Sequence, residues 1–256
     1  MQAQSILNLV ENLTWDAVAA RIAAGASAIL PIGAGAKQHG FHLPMKTDRV
    51  QAEAIASRVA DSFDALIWPT LSYGYYPAFV EYAGSASLSD TTFEALVEEL
   101  ARSILGYGCK ALIVLDTGIS TIAATTRALS RVGHVKALHL KIYDGPRYRA
   151  AVQRLAQQSH GSHADELETS LMLVLAPHLV DMARARASPP IAREVDGALS
   201  PFDASSPNYS SSGSYGDPTL ASREKGKILL AAMMDDLTEQ VRSFLAYGID
   251  TKKAAF

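Results

Sequence analysis

Short apolar runs alternate with longer amphipathic segments along most of this chain. The apolar runs predict buried strands at Ala28–Ile32, Ala65–Pro69, Lys110–Leu115 and Val135–Ile142. Segments with apolar residues three and four positions apart predict helices at Asp16–Ile22, Arg49–Asp61, Thr91–Tyr107, Ile122–Arg131, Leu171–Leu175 and Glu224–Leu245. Because strands that alternate with helices form parallel βαβ units, the pattern predicts an α/β fold with helices on both faces of the sheet.

The stretch that follows the first predicted strand is rich in reactive side chains. Gly33–Ala36 loosens the backbone, and Lys37, His39 and Asp48 then follow within twelve residues. In α/β proteins, polar side chains that follow a buried strand lie at the carboxyl edge of the sheet, where ligands bind. The stretch therefore predicts a functional site; a solvated loop with ordinary histidines is the alternative interpretation.

A second polar cluster lies directly before the helix predicted at Leu171–Leu175. It contains two histidines and three acidic residues, which are His160, His163, Asp165, Glu166 and Glu168. Imidazoles and carboxylates carry acid–base and metal chemistry in proteins. Acidic residues near a helix start are also stabilised by the helix dipole, so a plain surface cluster is the alternative interpretation.

Other loops add side chains near the predicted strand ends. Candidate substrate contacts in the loops after the second and third strands are Tyr73, Tyr75, Asp116, Thr117 and Ser120. Aromatic packing and simple strand termination are the alternatives for these residues. The Ser- and Pro-rich connection at 197–218 is too long for an inert turn, and it predicts a flap, a binding loop or disorder.

The composition is that of a single domain without disulfides. The 256 residues, 48% of them hydrophobic, suffice for one α/β domain spanning residues 1–256. Cys109 is the only cysteine, so an intrachain disulfide is excluded and a cytoplasmic location is expected. The 23 basic and 26 acidic residues form no Lys/Arg stripe, which argues against a nucleic acid partner. We find neither a signal-peptide pattern nor an apolar run near the roughly 20 residues of a membrane span.

Several motifs, in matching order, resemble those of the creatininase family. The matching stretches are Leu13–Trp15, Leu30–Gly33, Gln38–Pro44, Thr47–Asp48, His163–Leu173 and Gly216–Gly226. The resemblance covers nearly the whole chain. It implies one creatininase-like domain, built as a three-layer α/β/α sandwich with a mainly parallel sheet and assembled as a homo-oligomer, usually a hexamer.

The resemblance also implies amidohydrolase chemistry at a centre of two metal ions. In that centre a glutamate and a distal histidine hold one metal, a histidine and a second glutamate hold the other, and an aspartate bridges them. Two cations so placed polarise a carbonyl and lower the pKa of a bridging water. The substrate implied is a small molecule with an amide or cyclic C–N bond.

The sequence departs from this pattern at two ligands of the same metal. Lys37 stands where the family has its first glutamate, and Gly118 stands where it has the distal histidine. The remaining set is His39, Asp48 and Glu166, which would hold one divalent metal, zinc first and iron or manganese as alternatives. The resemblance therefore implies a degenerate centre in which Lys37 replaces one cation.

The departures leave three interpretations open. In the first, the protein is a one-metal hydrolase in which Lys37 stabilises the oxyanion and His163 or Glu168 is the acid–base group. In the second, no metal is bound, and Lys37 acts as a base or a Schiff-base nucleophile in a lyase, isomerase or condensing enzyme. In the third, the protein is a non-catalytic binding subunit that has kept the fold.

Overall fold

A four-stranded parallel sheet forms the centre of the molecule. The computed structural model describes residues 8–133, 136–188 and 198–253, with side chains as far as residue 246. Its strands are β1 (Ser27–Ile32), β2 (Ala65–Ile67), β3 (Leu112–Asp116) and β4 (Ala137–Lys141). They are ordered β2-β1-β3-β4, and all neighbouring pairs are parallel. Every residue of β1, β2 and β3 is buried, which explains their unbroken apolar runs.

Helices connect and cover these strands. The α-helices of the described chain are α1 (Trp15–Ala23), α2 (Thr47–Ala60), α3 (Asp90–Gly106), α4 (Ile122–Val132), α5 (Pro146–Leu155), α6 (Glu166–Leu175) and α7 (Arg223–Lys253). Short 3-10 helices occupy Val10–Asn12, Pro77–Phe79, Pro177–Leu179, Met182–Arg184 and Pro218–Leu220. No helix of the described chain is long and apolar enough to span a membrane.

Two apolar cores lie on opposite faces of the sheet. Successive residues of β1 point to opposite faces, so Ile29 enters one core and Leu30 the other. The first core contains side chains of α2, α5, α6 and α7, and the second contains side chains of α3 and α4. This confirms the predicted three-layer α/β/α architecture with a parallel sheet.

All four predicted strands are present, but two predictions about helices were incomplete. Helix α5 was not predicted, because Pro146 opens it and its exposed face carries several arginines in a short, mostly polar segment. Helix α6 starts at Glu166, five residues before the predicted start, since Asp165 caps it by accepting from two backbone amides. Val135, the predicted start of the last strand, lies outside the described residues.

The order of the strands determines where a site can form. The chain leaves β1 through α2 on one face of the sheet and leaves the neighbouring β3 through α4 on the other face. A crevice opens between adjacent strands whose connections diverge in this way. Both polar stretches that follow β1 and β3 in the sequence therefore lie at one crevice.

Candidate active site

The stretch after β1 folds back so that Lys37, His39 and Asp48 meet. Lys37 Nζ lies 2.7 Å from Asp48 Oδ2, and His39 Nε2 lies 2.9 Å from the other oxygen of the same carboxylate. Asp48 is in the first turn of α2, where the helix dipole favours a negative charge. Gly33 allows α2 to approach this closely, because a Cβ there would lie 2.5 Å from the Asp48 carbonyl oxygen.

These three side chains are buried, which strengthens their electrostatic interactions. Lys37 is 6% exposed, Asp48 2% and His39 not at all. Burial alone would raise the pKa of the Asp48 carboxyl, but the adjacent Lys37 and His39 together hold that pKa well below its usual range. Lys37 Nζ also lies 4.9 Å from the centre of the Phe79 ring and 5.5 Å from that of Tyr76. The unit is thus an ammonium–carboxylate pair enclosed by aromatic side chains.

Glu168, in the first turn of α6, brings the second polar cluster to His39. Its Oε1 lies 3.8 Å from His39 Nε2, and its Oε2 lies 3.9 Å from His163 Nδ1. One ligand atom from each of these three residues lies within 4.8 Å of the other two. The structure therefore brings together Lys37, His163 and Glu168, which the sequence predicted as catalytic, with His39 and Asp48.

Backbone carbonyls fix the orientation of both imidazole rings. His39 Nδ1 donates to the Lys37 carbonyl at 2.8 Å, and His163 Nε2 donates to the Gln38 carbonyl at 2.7 Å. Burial, with smaller contributions from His39 and Lys37, holds the pKa of His163 well below its usual range. His163 is therefore neutral at pH 7, and its Nδ1 presents a lone pair toward Glu168.

Glu166 lies in different surroundings from those predicted for a metal ligand. Its Oε1 is 2.5 Å from Lys225 Nζ, and its Oε2 accepts from the backbone amides of Gln157 and Gln158 at 2.9 and 2.7 Å. These contacts join α6 to the start of α7 and to the segment that follows α5. The structure does not bring Glu166 together with His39 and Asp48; Glu168 lies beside His39 instead.

The carboxylate of Asp116, a predicted substrate contact, is surrounded by donors from the protein itself. Its Oδ1 accepts from the Gly118 amide at 2.9 Å and from Thr121 Oγ1 at 2.7 Å, and its Oδ2 lies 3.1 Å from His139 Nε2. A Cβ at Gly118 would lie 2.3 Å from Thr121 Oγ1. The Thr121 hydroxyl thus occupies the space that a larger residue at 118 requires.

The other predicted substrate contacts are also engaged within the fold or lie at the surface. The Thr117 hydroxyl donates to the Ile32 carbonyl at 3.0 Å, and the Ser120 hydroxyl donates to the Tyr75 carbonyl at 2.6 Å. Tyr75 packs against the second apolar core, and Tyr73 is 57% exposed. The hydroxyls of Thr117 and Ser120 are thus engaged with backbone carbonyls of the protein itself.

Tyr76, which follows Tyr73 and Tyr75 in the same aromatic loop, belongs to the site. It is 2% exposed, its ring faces Lys37, and its hydroxyl has no hydrogen-bond partner among the described residues. The sequence places three tyrosines in one loop, and no periodic pattern there indicates which of them is buried. Only the packed structure distinguishes the buried Tyr76 from the exposed Tyr73.

The long connection before α7 closes over the site. Gln38 Nε2 donates to the Gly213 carbonyl at 2.9 Å, and the backbones of His163 and Tyr215 form an antiparallel bridge. The described part of this connection, from residue 198 onward, packs against site residues. These contacts argue against disorder and leave a flap or a binding loop as the alternatives. We refer to residues 198–217 as the covering segment.

A buried set of imidazoles, carboxylates and one ammonium at the crevice of a parallel α/β sheet is typical of hydrolases that activate water. Comparison with known proteins identifies the family. The sequence model of the family Creatininase, described as creatinine amidohydrolase, matches residues 11–241. The chain belongs to the creatininase family, which confirms the resemblance seen in the motifs.

Relatives align over most of their own length. The creatinine amidohydrolase of Pseudomonas putida is 29% identical, with 91% of this chain and 95% of that protein covered. The mycofactocin precursor peptide peptidase of Mycobacterium tuberculosis (strain CDC 1551 / Oshkosh) is 28% identical, with 86% of each covered. A solved structure named "Creatininase Mn" superposes with a TM-score of 0.79 at 28% identity, covering 92% of this chain and 98% of the other. Both named activities belong to hydrolases that act on C–N bonds.

Proposed function

We propose that the protein hydrolyses an amide-like C–N bond and that the Lys37 ammonium replaces one of the two metal cations. The observation that carries the proposal is the shared Asp48 carboxylate, with Lys37 Nζ 2.7 Å from one oxygen and His39 Nε2 2.9 Å from the other. In the two-metal arrangement implied by the family resemblance, an aspartate bridges two cations. Here one of the bridged groups is a cation that belongs to the chain itself.

The donor set fits one divalent cation on the His39 side of Asp48. Imidazole nitrogens and carboxylate oxygens are suitable ligands for zinc, and also for iron(II) and manganese. Such a cation, when bound, polarises a substrate carbonyl and makes hydroxide available near neutral pH. A second cation beside Lys37 is disfavoured, since two unit charges 4 Å apart repel by about 4 kcal/mol at an effective dielectric constant near 20.

Lys37 serves the reaction in two ways. Its positive charge keeps Asp48 ionised in a buried position, and its N–H groups can donate to the oxygen that becomes negative when water attacks the carbonyl. The rings of Tyr76 and Phe79 exclude water from the ammonium, which makes such a hydrogen bond stronger than it is in solution. This assignment needs Lys37 to remain protonated.

The relatives limit the class of substrate. Their names give creatinine and a precursor peptide as substrates. We therefore infer that this protein acts on a small amide or a cyclic C–N compound. Assembly into a homo-oligomer is a further prediction from the family resemblance.

The ion pair disfavours the alternative in which Lys37 forms a Schiff base without metal. A Schiff base needs a neutral amine as nucleophile. Asp48, at 2.7 Å, stabilises the ammonium form instead, and the aromatic rings beside Lys37 add cation–π attraction for the same form. A hydrolytic role for a charged Lys37 is the better fit.

The proposal predicts that Lys37→Met abolishes most of the hydrolysis. Wild type and variant would be tested on creatinine, a hydantoin and a short peptide, with the released amine or carboxylate measured. We expect hydrolysis of at least one compound by the wild type, with kcat lower by about 10²–10³ in the variant, because a donor to the developing negative charge is lost.

Lys110→Met provides a matched control, since Lys110 is exposed. This control should retain wild-type kcat. Full activity in Lys37→Met would refute the proposal. If activity survives exhaustive chelation of metals, and borohydride traps the substrate covalently on Lys37, the Schiff-base alternative is established instead.

A further inference from the structure

We infer that this chain binds one zinc-type divalent cation through His39, His163 and Glu168, a different ligand set from the His39, Asp48 and Glu166 that the sequence predicted. The inference concerns the location of the metal. Metal binding can be measured without a substrate, so this inference can be tested separately from the proposed hydrolysis.

Distances between the candidate ligand atoms support this set. Glu168 Oε1 is 3.8 Å from His39 Nε2, and Glu168 Oε2 is 3.9 Å from His163 Nδ1. One ligand atom from each of the three residues lies within 4.8 Å of the other two. Ligands about 2.1 Å from a tetrahedral zinc are about 3.4 Å apart, so small side-chain rotations bring the three atoms to bonding distance.

The hydrogen bonds of the two histidines supply an independent argument. A metal-binding histidine usually donates its other ring N–H to a carbonyl or carboxylate, which fixes the tautomer. His39 does so through Nδ1 to the Lys37 carbonyl, and His163 through Nε2 to the Gln38 carbonyl. The two rings use opposite nitrogens as donors toward these carbonyls. The remaining nitrogens are His39 Nε2, which lies 2.9 Å from Asp48 Oδ1 and 3.8 Å from Glu168 Oε1, and His163 Nδ1, which lies 3.9 Å from Glu168 Oε2.

Glu168 is held in place by a comparable set of neighbours. Its Oε1 accepts from Gln51 Nε2 at 3.1 Å, and its Oε2 accepts from the Ala164 amide at 2.7 Å. Gln51 is in turn held by the Tyr143 hydroxyl, which donates to Gln51 Oε1 at 2.8 Å. Ala164 adopts φ +47°, an unusual angle for a residue with a side chain, and this conformation presents its amide to Glu168.

The charges around the cluster favour one cation and leave the Lys37 pair intact. Histidines bind a metal as neutral imidazoles, so with one carboxylate the three ligands would contribute a formal charge of −1 to the bound state. Asp48 contacts His39 but is not part of the three-residue group, and its second oxygen remains with Lys37. With His163 and Glu168 as ligands, these two residues have a different role from the acid–base role predicted for them.

A zinc competition experiment on the purified, metal-depleted full chain tests this assignment. Zinc would be titrated against a chromophoric chelator, and cobalt(II) absorption would report the coordination number. We expect one equivalent to bind to the wild type and the affinity to fall by about 100-fold or more in His163→Ala and Glu168→Gln. In Glu166→Gln, a matched change two residues away on α6, the affinity should stay within about three-fold of wild type.

Thermal unfolding with chelator present would show whether each variant is folded, and Glu168→Asp provides a second variant if Glu168→Gln is not. Loss of zinc binding in Glu166→Gln with retention in Glu168→Gln would establish the set predicted from the sequence and overturn this one. Absence of zinc binding by the wild type would overturn it as well. Zinc binding without hydrolysis would support the site and count against the proposed function.

Discussion

Tyr76 illustrates how one residue can reduce stability where it serves a site. Its hydroxyl is buried without a hydrogen-bond partner in the described part of the chain, and burial, followed by the charges of Asp48 and Asp116, raises its pKa well above the usual range. An unsatisfied buried hydroxyl costs about 1–3 kcal/mol. We predict that Tyr76→Phe increases the free energy of unfolding by about 1 kcal/mol, as measured by urea denaturation.

Tyr215→Phe is the control for this prediction, because the buried Tyr215 hydroxyl donates to the Asn208 carbonyl at 2.9 Å. Removing that hydroxyl takes one of two hydrogen bonds from the Asn208 carbonyl, which also accepts from the Ser200 amide at 3.0 Å, and should lower the free energy of unfolding by about 1 kcal/mol. If Tyr76→Phe were destabilised to the same degree, the Tyr76 hydroxyl would have an unseen structural partner.

For single residues, the sequence predicted which side chains of one stretch lie together better than it predicted which glutamate of α6 lies beside them. Lys37, His39 and Asp48 could be predicted together because they lie within one stretch of twelve residues that matches a family motif. Glu166 and Glu168 could not be distinguished in this way. Residues two positions apart on a helix are separated by about 200° around its axis, so only one of them can face the site. Packing against Lys225 of α7 determines which one does.

Helices α6 and α7 are in close contact at Gly226. A Cβ at Gly226 would lie 1.9 Å from the Ser170 carbonyl oxygen, so Gly226→Ala forces the two helices apart. We expect this change to lower the free energy of unfolding by about 2 kcal/mol. Denaturation by urea would measure it.

Gly106→Ala provides the comparison, since a Cβ at Gly106 meets no atom within 4 Å at the end of α3. Alanine is the better helix former there and should leave stability unchanged or raise it by about 0.5 kcal/mol. Equal effects at the two glycines would mean that helix propensity, and not the contact between α6 and α7, determines the result.

Among the elements, the strands were the most predictable from the sequence. Strands buried on both faces need apolar residues throughout, so β1 and β3 appear as continuous runs. The covering segment was the least predictable. The buried Ser210 and Ser212 are hydrogen-bonded to backbone groups of the same segment, as in the bond from Ser210 Oγ to the Ser214 carbonyl, and such contacts leave no periodic pattern.

For the whole molecule, buried histidines predict sensitivity to acid. Burial, with a smaller effect of His39, lowers the pKa of His42 to about 4. Between pH 6.5 and 4 an unfolded chain binds a proton at His42 that the folded chain does not, so stability falls as the pH falls. One such proton gives a slope of at most about 1.4 kcal/mol per pH unit.

We predict that His42→Gln, which can still bond to Thr169, flattens the stability profile between pH 6.5 and 4, as measured by urea denaturation at several pH values. Asp165 acts in the opposite direction, because burial raises its pKa to about 6, so its contribution to stability is lost as the pH rises toward 6. The difference between wild type and variant isolates His42 from that effect. Parallel profiles would show that His42 titrates normally in the fold.

The covering segment also constrains the order in which the protein can fold. Gln38 is bonded to Gly213, 175 positions along the chain, and to His163, 125 positions along. Contacts between such distant residues form late, because long loops must lose their entropy before any contact stabilises them. The pairing of β1 with β3 spans shorter separations, as between Ile32 and Asp116. We therefore expect the surroundings of the buried Lys37–Asp48 ion pair to be completed only when the covering segment has packed against Gln38.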